Sequence, residues 1–229
     1  MKLTNRMEAI LSLCSPAETA ADIGCDHGQV AVELVLRGLA KTCIAADISA
    51  PSLEKARRRA EEWGLSGKVE CRLGDGLSVL RPGEAQTIVL AGMGAPLMAE
   101  ILQKQMDVAR AAERLVLSPN IYPERLRKYL LKNGWRIPRE KMIPEEGKYY
   151  PVFLAETGTC PSYRPEELLF GRWEQPDAGL LQFLDYKIAQ AERIMEEMRR
   201  GGADTAGIGE RRALYLQYRE EMLRKGARK

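Results

Sequence analysis

One unit recurs along this chain: a short apolar run, a turn of glycine, acid or other turn-forming residues, then a stretch patterned for a helix. The runs are 19–23, 43–47, 69–73, 87–91 and 115–117. The turns after them are Gly24-Cys25-Asp26-His27-Gly28, Asp47-Ile48-Ser49, Gly74-Asp75-Gly76, Gly92-Met93-Gly94 and Ser118-Pro119-Asn120. Apolar runs this short, bounded by turn residues, read as buried strands. Helical stretches are expected at 30–36, from Ser49 or Ser52 to about 63, at 96–112 and at 123–132. Such alternation builds a parallel sheet covered by helices. A short amphipathic helix precedes it over 5–13, with Met7, Ile10, Leu11 and Leu13 on one side. After residue 134 the alternation stops. Trp135-Arg136-Ile137 and 149–156 read as two successive strands, separated by a charged turn at Glu145-Glu146-Gly147-Lys148. A closing hairpin adds an antiparallel strand to the sheet.

In open sheets of this kind, ligands lie beyond the carboxyl ends of the strands. The first turn is therefore the place to look for chemistry. Gly24 and Gly28 allow a sharp turn and a close backbone approach. A dinucleotide loop presents N–H groups to a pyrophosphate. Here Asp22 and Asp26 flank Gly24, and two carboxylates repel a pyrophosphate. They suit a ligand carrying an ammonium and a second positive centre. S-adenosylmethionine (SAM) has both, in its ammonium and its sulfonium. Asp47, followed by Ile48, ends the second strand about 20 residues on, where an acid commonly accepts from ribose hydroxyls. Asp75, before Gly76, ends the third, where it can accept from an adenine amino group. Each acid alone is also an ordinary cap or turn residue. Three on successive strand ends point together to SAM. Ala91, Gly92 and Met93 end the fourth strand, where the acceptor would meet the methyl group; a tight turn into the next helix is the plainer alternative. The layout is that of a Rossmann-like methyltransferase.

Composition narrows the classes. The five cysteines are scattered without a C-x-x-C pair, and there is one histidine, so neither a zinc site nor a disulfide framework is expected. The opening Met1-Lys2-Leu3-Thr4-Asn5-Arg6 has no apolar leader, and no run is long enough to cross a bilayer. We expect a protein of the reducing cytoplasm, without membrane or metal. A net charge of +3 permits an anionic partner without requiring one. Lys55, Arg57, Arg58 and Arg59, and then Arg125, Arg127, Lys128 and Lys132, lie along two helices. They are either solvated faces or phosphate contacts.

Residues 157–162 read as a linker. Beyond it, Leu181, Leu184, Ile188, Ala191, Met195 and Met198 recur at spacings of three and four, as in a coiled-coil seam. A glycine-rich turn over 201–209 leads to a second helix with Tyr215, Tyr218 and Met222. The expected fold is thus α/β: a Rossmann-like class I SAM-dependent methyltransferase domain over 1–157, its sheet mostly parallel with the last strand antiparallel. A C-terminal helical coiled-coil hairpin follows over 158–229. The arginines on its outer faces suit an RNA clamp, a dimer contact or a plain charged surface.

The motifs resemble those of the bacterial tRNA adenine-N1 methyltransferases, the TrmK family. The resemblance rests on Asp22-Ile23-Gly24-x-Asp26-His27, Gly74-Asp75-Gly76-Leu77, Ala91-Gly92-Met93-Gly94, Pro119-Asn120, Lys132-Asn133-Gly134-Trp135 and Glu146-Gly147-Lys148-Tyr149-Tyr150. It implies SAM as donor and N1 of the adenosine at position 22 of tRNA as acceptor. The chain departs from the pattern at Ser118, where the family usually has Gln, at Gly28-Gln29 in place of Ala-Tyr, and at Pro151 in place of Glu.

N1 of neutral adenine carries a lone pair, so the task is positioning rather than base catalysis. N1 lies on the pairing edge, so the adenosine must be unpaired or flipped. Asn120 and the Gly92-Met93 backbone are the candidates for holding the base edge, and Tyr149 or Tyr150 for stacking on it. His27 is either a hydrogen-bonding support of the loop or an acid/base group. A monomer or weak dimer is expected. The competing readings are a methyltransferase acting on a small molecule or protein, and a non-catalytic SAM- and RNA-binding module.

Overall fold

The computed structural model describes residues 3–227, so Met1-Lys2 and the last two residues of the expected hairpin lie outside the described residues. Seven strands form one sheet: β1 (Ala17–Ile23), β2 (Ala40–Asp47), β3 (Val69–Leu73), β4 (Thr87–Ala91), β5 (Arg114–Ser118), β6 (Trp135–Glu145) and β7 (Lys148–Thr157). Their spatial order is β3-β2-β1-β4-β5-β7-β6. The first five strands pair in parallel, and β7 runs antiparallel to both β5 and β6. Adjacent β1 and β4 lie where the order reverses, the position at which such sheets bind ligands.

Helices cover both faces, as the continuous apolar strands require. One core joins α1 (Asn5–Leu13), α2 (Gln29–Leu36) and α3 (Ala50–Glu62) to the sheet; α1 supplies Ile10, Leu11 and Leu13. The other face is packed by α4 (Ala95–Lys104), α5 (Met106–Ala111) and α6 (Pro123–Lys132). Caps set the starts: Thr4 Oγ1 accepts from Met7 N, and Ser49 Oγ accepts from Ser52 N.

Three elements differ from expectation. The single helix over 96–112 is two, meeting at Gln105, whose backbone (φ −130°, ψ 54°) is not helical. The strand begun by Trp135 does not end at Ile137. It continues to Glu145 through Pro138, where the register shifts between Arg136 and Arg139. β6 is the sheet edge, so a residue without an N–H is tolerated there, and the break in pattern at Pro138 concealed the strand. The glycine turn of the C-terminal hairpin is shorter than expected, because Gly207 and Gly209 already lie inside the last helix.

The C-terminal segment comprises α7 (Pro165–Phe170), α8 (Ala178–Arg200) and α9 (Ala206–Gly226). Leu180, Leu184, Tyr218 and Met222 bury against Phe170, Trp173 and Met142 of β6. Gly179, in the first turn of α8, lies directly on the Met142 carbonyl, with no room for a Cβ. α7 was not foreseen. It is fastened by Arg127, whose guanidinium donates to the carbonyls of Leu168 and Leu169 and to Glu140 Oε2 at 2.8 Å. Arg127 is therefore neither part of a solvated face nor a phosphate contact, the two alternatives its helix offered: its side chain is fully buried in this ion pair. Arg57 and Arg58 of α3 both pair with Glu54, as a solvated face does.

Candidate active site

The carboxyl ends of β1 and β4, roofed by α1, enclose a cleft of about 460 Å³, within the range typical of small-molecule sites. Asp22, Gly24, Cys25, Asp26 and His27 line it from the first turn, and Ala91, Gly92 and Met93 from the fourth strand. Gln29 and Val30 contribute from the start of α2, Thr4, Arg6, Met7 and Ile10 from α1 and its cap, and Glu145 from the end of β6.

The first turn is held in an unusual backbone shape. Gly24 has φ +71°, and Asp26, which is not glycine, has φ +46°. Left-handed residues of this kind collect at functional sites. The N–H groups of Gly24 and Cys25 both donate to the Ala46 carbonyl, anchoring the turn to β2. The Met93 methyl group lies against the Gly24 α-carbon where a Cβ would stand, so the two turns touch.

Asp22 is buried, with Oδ2 accepting from Ala31 N at 3.2 Å. Burial pushes its carboxyl up to about 7, against the partial relief of that hydrogen bond. Asp26 is exposed, and its Oδ1 lies 3.4 Å from His27 Nε2. His27 Nε2 is also 3.1 Å from Lys55 Nζ, so the α3 lysine turns towards the loop. This contact fits a loop-supporting histidine.

Asp47 lies just outside the cleft and ties two turns together: Oδ2 accepts from Asp26 N at 3.1 Å and Oδ1 from Ser49 N at 2.9 Å. Ile48 beside it is 75% exposed, an apolar surface offered to solvent next to the cleft. Asp75, at the start of the short 3-10 turn containing Gly76, is exposed, 3.7 Å from Lys104 Nζ.

On the other side, Asn120 Nδ2 donates to the Gly92 carbonyl and Asn120 N to the Met93 carbonyl. The three residues named as candidates for the base edge are thus brought together, with Asn120 exposed. The two tyrosines separate. The Tyr149 ring packs on Phe183 and Tyr186 of α8, with centroids 5.5 and 5.4 Å away, and is not among the residues lining the cleft. Tyr150 faces α1, with the Arg6 guanidinium 4.4 Å above its ring.

Arg6 and Glu145 were missed from the sequence. Glu145 Oε2 accepts from Arg6 N at 3.0 Å. Nothing in the amphipathic pattern of 5–13 says that the helix lies across the strand ends, and Glu145 reads as one of several turn charges.

Among the described residues no group of three or more His, Cys, Asp or Glu side chains is placed to hold a metal ion. No helix of the described residues is long and apolar enough to cross a membrane.

Comparison with known proteins adds the family. The methyltransferase-domain family matches residues 3–153. The tRNA (adenine(22)-N(1))-methyltransferase of Bacillus subtilis is 37% identical over 158 residues, 69% of this chain and 66% of that protein. The matched stretch is thus just under two thirds of that relative's length. Among solved structures, the B. subtilis m1A22 tRNA methyltransferase TrmK superposes with a TM-score of 0.77 at 29% identity, covering 98% of each chain. Streptococcus pneumoniae Sp1610 in complex with S-adenosyl-L-methionine superposes with a TM-score of 0.83 at 26% identity, covering 94% of this chain and 99% of that one.

Proposed function

This chain belongs to the methyltransferase-domain family, in its TrmK-like group, and from that premise we propose that it transfers a methyl group from SAM to N1 of an adenosine in tRNA, at position 22. The observation that carries the reading is the cleft between the ends of β1 and β4, where Asp22, Asp26 and Glu145 meet the Asn120–Gly92–Met93 assembly on its acceptor side.

The acids supply a negative environment for the donor's ammonium and sulfonium. Asp47 takes the ribose hydroxyls, with Ile48 against the adenine face and the turn at Asp75-Gly76 at the amino edge. When bound, the donor supplies the methyl group and a neutral thioether as leaving group. The chain's own part is alignment. Asn120 Oδ1 has no partner among the described residues, while its amide nitrogen is held by Gly92. That oxygen is placed to accept from the adenine amino group and leave N1 directed at the methyl carbon. Attack moves positive charge onto the base, and the Gly92 and Met93 carbonyls and the cleft carboxylates favour that charge. No base is required before attack, so His27 supports the loop. Neither tyrosine lines the cleft itself; Tyr150 touches a cleft residue, Arg6, while Tyr149 packs on α8.

Residues 1–157 form the catalytic unit in this reading, and 158–229 extend the surface that meets RNA. Because α8 and α9 fill each other's seam, the chain acts as a monomer or weak dimer, in the cytoplasm where tRNA is processed. The test is incorporation of labelled methyl from SAM into unmodified tRNA, run beside total protein and small-molecule extract. Label in tRNA alone supports the reading. Label in protein or small molecules alone, or SAM binding without transfer, contradicts it.

A further inference from the structure

Just beyond Asn120 the chain turns an aromatic ring towards solvent. Tyr122, at the start of α6, has φ +56° and ψ 45°. A left-handed backbone is uncommon outside glycine, asparagine and aspartate, and a bulky side chain there stands out. The segment is held in place. The Ile121 carbonyl accepts from Ala95 N at 3.1 Å, and the Ile121 side chain lies over Gly94. The Tyr122 carbonyl accepts from Arg125 N at 2.9 Å. Both residues are thus fixed beside the turn after β4, as Asn120 is. Yet Ile121 remains 54% exposed and Tyr122 48%.

One face of the ring carries a cation. The Arg125 guanidinium stands 4.5 Å from the Tyr122 centroid, which stiffens the ring. Among the described residues no other aromatic side chain packs on Tyr122. Charge says what covers it. Arg125, Lys128 and Lys132 are exposed and recur at spacings of three and four, on one face of α6. Among the described residues none of the three pairs with a carboxylate. By contrast, Arg57 and Arg58 of α3 pair with Glu54, and Arg212 of α9 with Glu192. A held ring followed by a row of unpaired cations matches a single strand of nucleic acid, whose bases stack while its phosphates run alongside.

We propose that Tyr122, backed by Arg125, stacks on the base next to the target adenosine, while Arg125, Lys128 and Lys132 follow the phosphates of that strand. This rests on the reading of the chain as a tRNA methyltransferase. Tyr122 lies two residues from Asn120, at most about 7 Å along the chain. That is the span of about two stacked nucleotides. An adenosine that leaves the stack deprives its neighbour of a stacking partner, and the tyrosine ring supplies one.

The test measures binding of unmodified tRNA to the full chain by fluorescence anisotropy. Tyr122→Asn removes the ring while suiting the left-handed backbone, so the fold is kept. It should weaken tRNA binding about 10-fold, the scale of one lost base–aromatic stack, with SAM affinity by calorimetry unchanged. Tyr122→Phe should bind as wild type does. The titrations are repeated on two tRNAs, each made abasic at one of the nucleotides flanking the target adenosine. On one of them wild type should bind as weakly as Tyr122→Asn binds intact tRNA, and the substitution should cost nothing further. Arg125→Gln should lower the slope of log affinity against log salt by about 1. Equal loss on all three tRNAs, or no loss on any, overturns the proposal. So does a Tyr122→Asn variant altered only in self-association by sedimentation, because the ring would then join two copies of the chain. An unchanged salt slope overturns the assignment of Arg125 to a phosphate. If wild type neither binds nor methylates tRNA, the functional reading itself fails, and the two failures are told apart.

Discussion

The side-chain amide of Asn120 donates to the carbonyl of Gly92 at 2.6 Å, joining the turn after β5 to the turn after β4. The Asn120 N–H reinforces the join through the Met93 carbonyl at 2.8 Å. The side-chain oxygen is left without a partner among the described residues, which suits the proposed reading of a base, while the rest of the residue is locked. Asn120→Ala should therefore lower kcat by about 100-fold, the scale of losing one preorganised polar group, with little change in SAM affinity. Single-turnover methylation and calorimetry separate the two effects. An equal loss in donor affinity would place Asn120 in the donor site instead.

Gly24 offers a second test, because it carries two constraints at once. Its φ of +71° disfavours any side chain, and the Met93 methyl group already occupies the Cβ position. Gly24→Ala should abolish measurable SAM binding, with about 1–2 kcal/mol of loss from the left-handed backbone alone. Adding Met93→Ala relieves the clash but not the backbone, so the double variant should recover binding only in part. Full recovery would mean that the backbone conformation is unimportant.

The sheet and the turns of the candidate site were legible because they depend on local features: five apolar runs, four of them followed by glycine or an acid and the fifth by Ser118-Pro119-Asn120. Asp22, Asp26, Gly92 and Met93 converge in the structure because parallel strands bring their carboxyl ends to one side. What was not legible depends on distant packing. Arg6 looks like any polar residue of an amphipathic helix until α1 is seen over the strand ends. Arg127 looks like its neighbours on a basic helix until Glu140, on a strand hidden by Pro138, is found beneath it. Tyr149 and Tyr150 are adjacent in sequence, but successive strand residues face opposite ways. One therefore joins α8 and the other Arg6.

Asp22 makes stability depend on pH. Its carboxyl titrates near 7 in the folded protein against an ordinary 3.8, because burial disfavours the charge. The folded state thus holds a proton that the unfolded state has released between those values. The resulting stability is complete below about pH 4 and is lost as the pH rises towards 7, a change on the order of 4 kcal/mol. Denaturant unfolding of the ligand-free protein from pH 5 to 8 should show this fall, and Asp22→Asn should flatten it. SAM affinity should move the opposite way, rising with pH as the carboxylate ionises to meet the cation. A wild-type profile unchanged by the substitution would assign the titration elsewhere.

Arg127, held by Glu140 of β6, ties α7 to the sheet-bearing part of the chain through the Leu168 and Leu169 carbonyls. Both side chains are essentially inaccessible, and Glu140 Oε1 has no hydrogen-bond partner among the described residues. Arg127→Met leaves a buried carboxylate unpaired and should cost about 3–5 kcal/mol in denaturant unfolding. Combining it with Glu140→Leu should restore most of that. Gly179→Ala, which forces α8 off the Met142 carbonyl, should expose the hairpin to limited proteolysis while leaving SAM binding intact. A hairpin still protected in this variant would show that α8 docks by other contacts.

The most direct test of the account is the position of the transferred methyl group. Unmodified tRNA bearing adenosine at position 22 should be methylated with SAM, digested and mapped by mass spectrometry, beside the same tRNA with guanosine there. The account predicts N1-methyladenosine at that position in the first and no methylation in the second. Methylation at another atom or another nucleotide, or equal incorporation into both tRNAs, would contradict it.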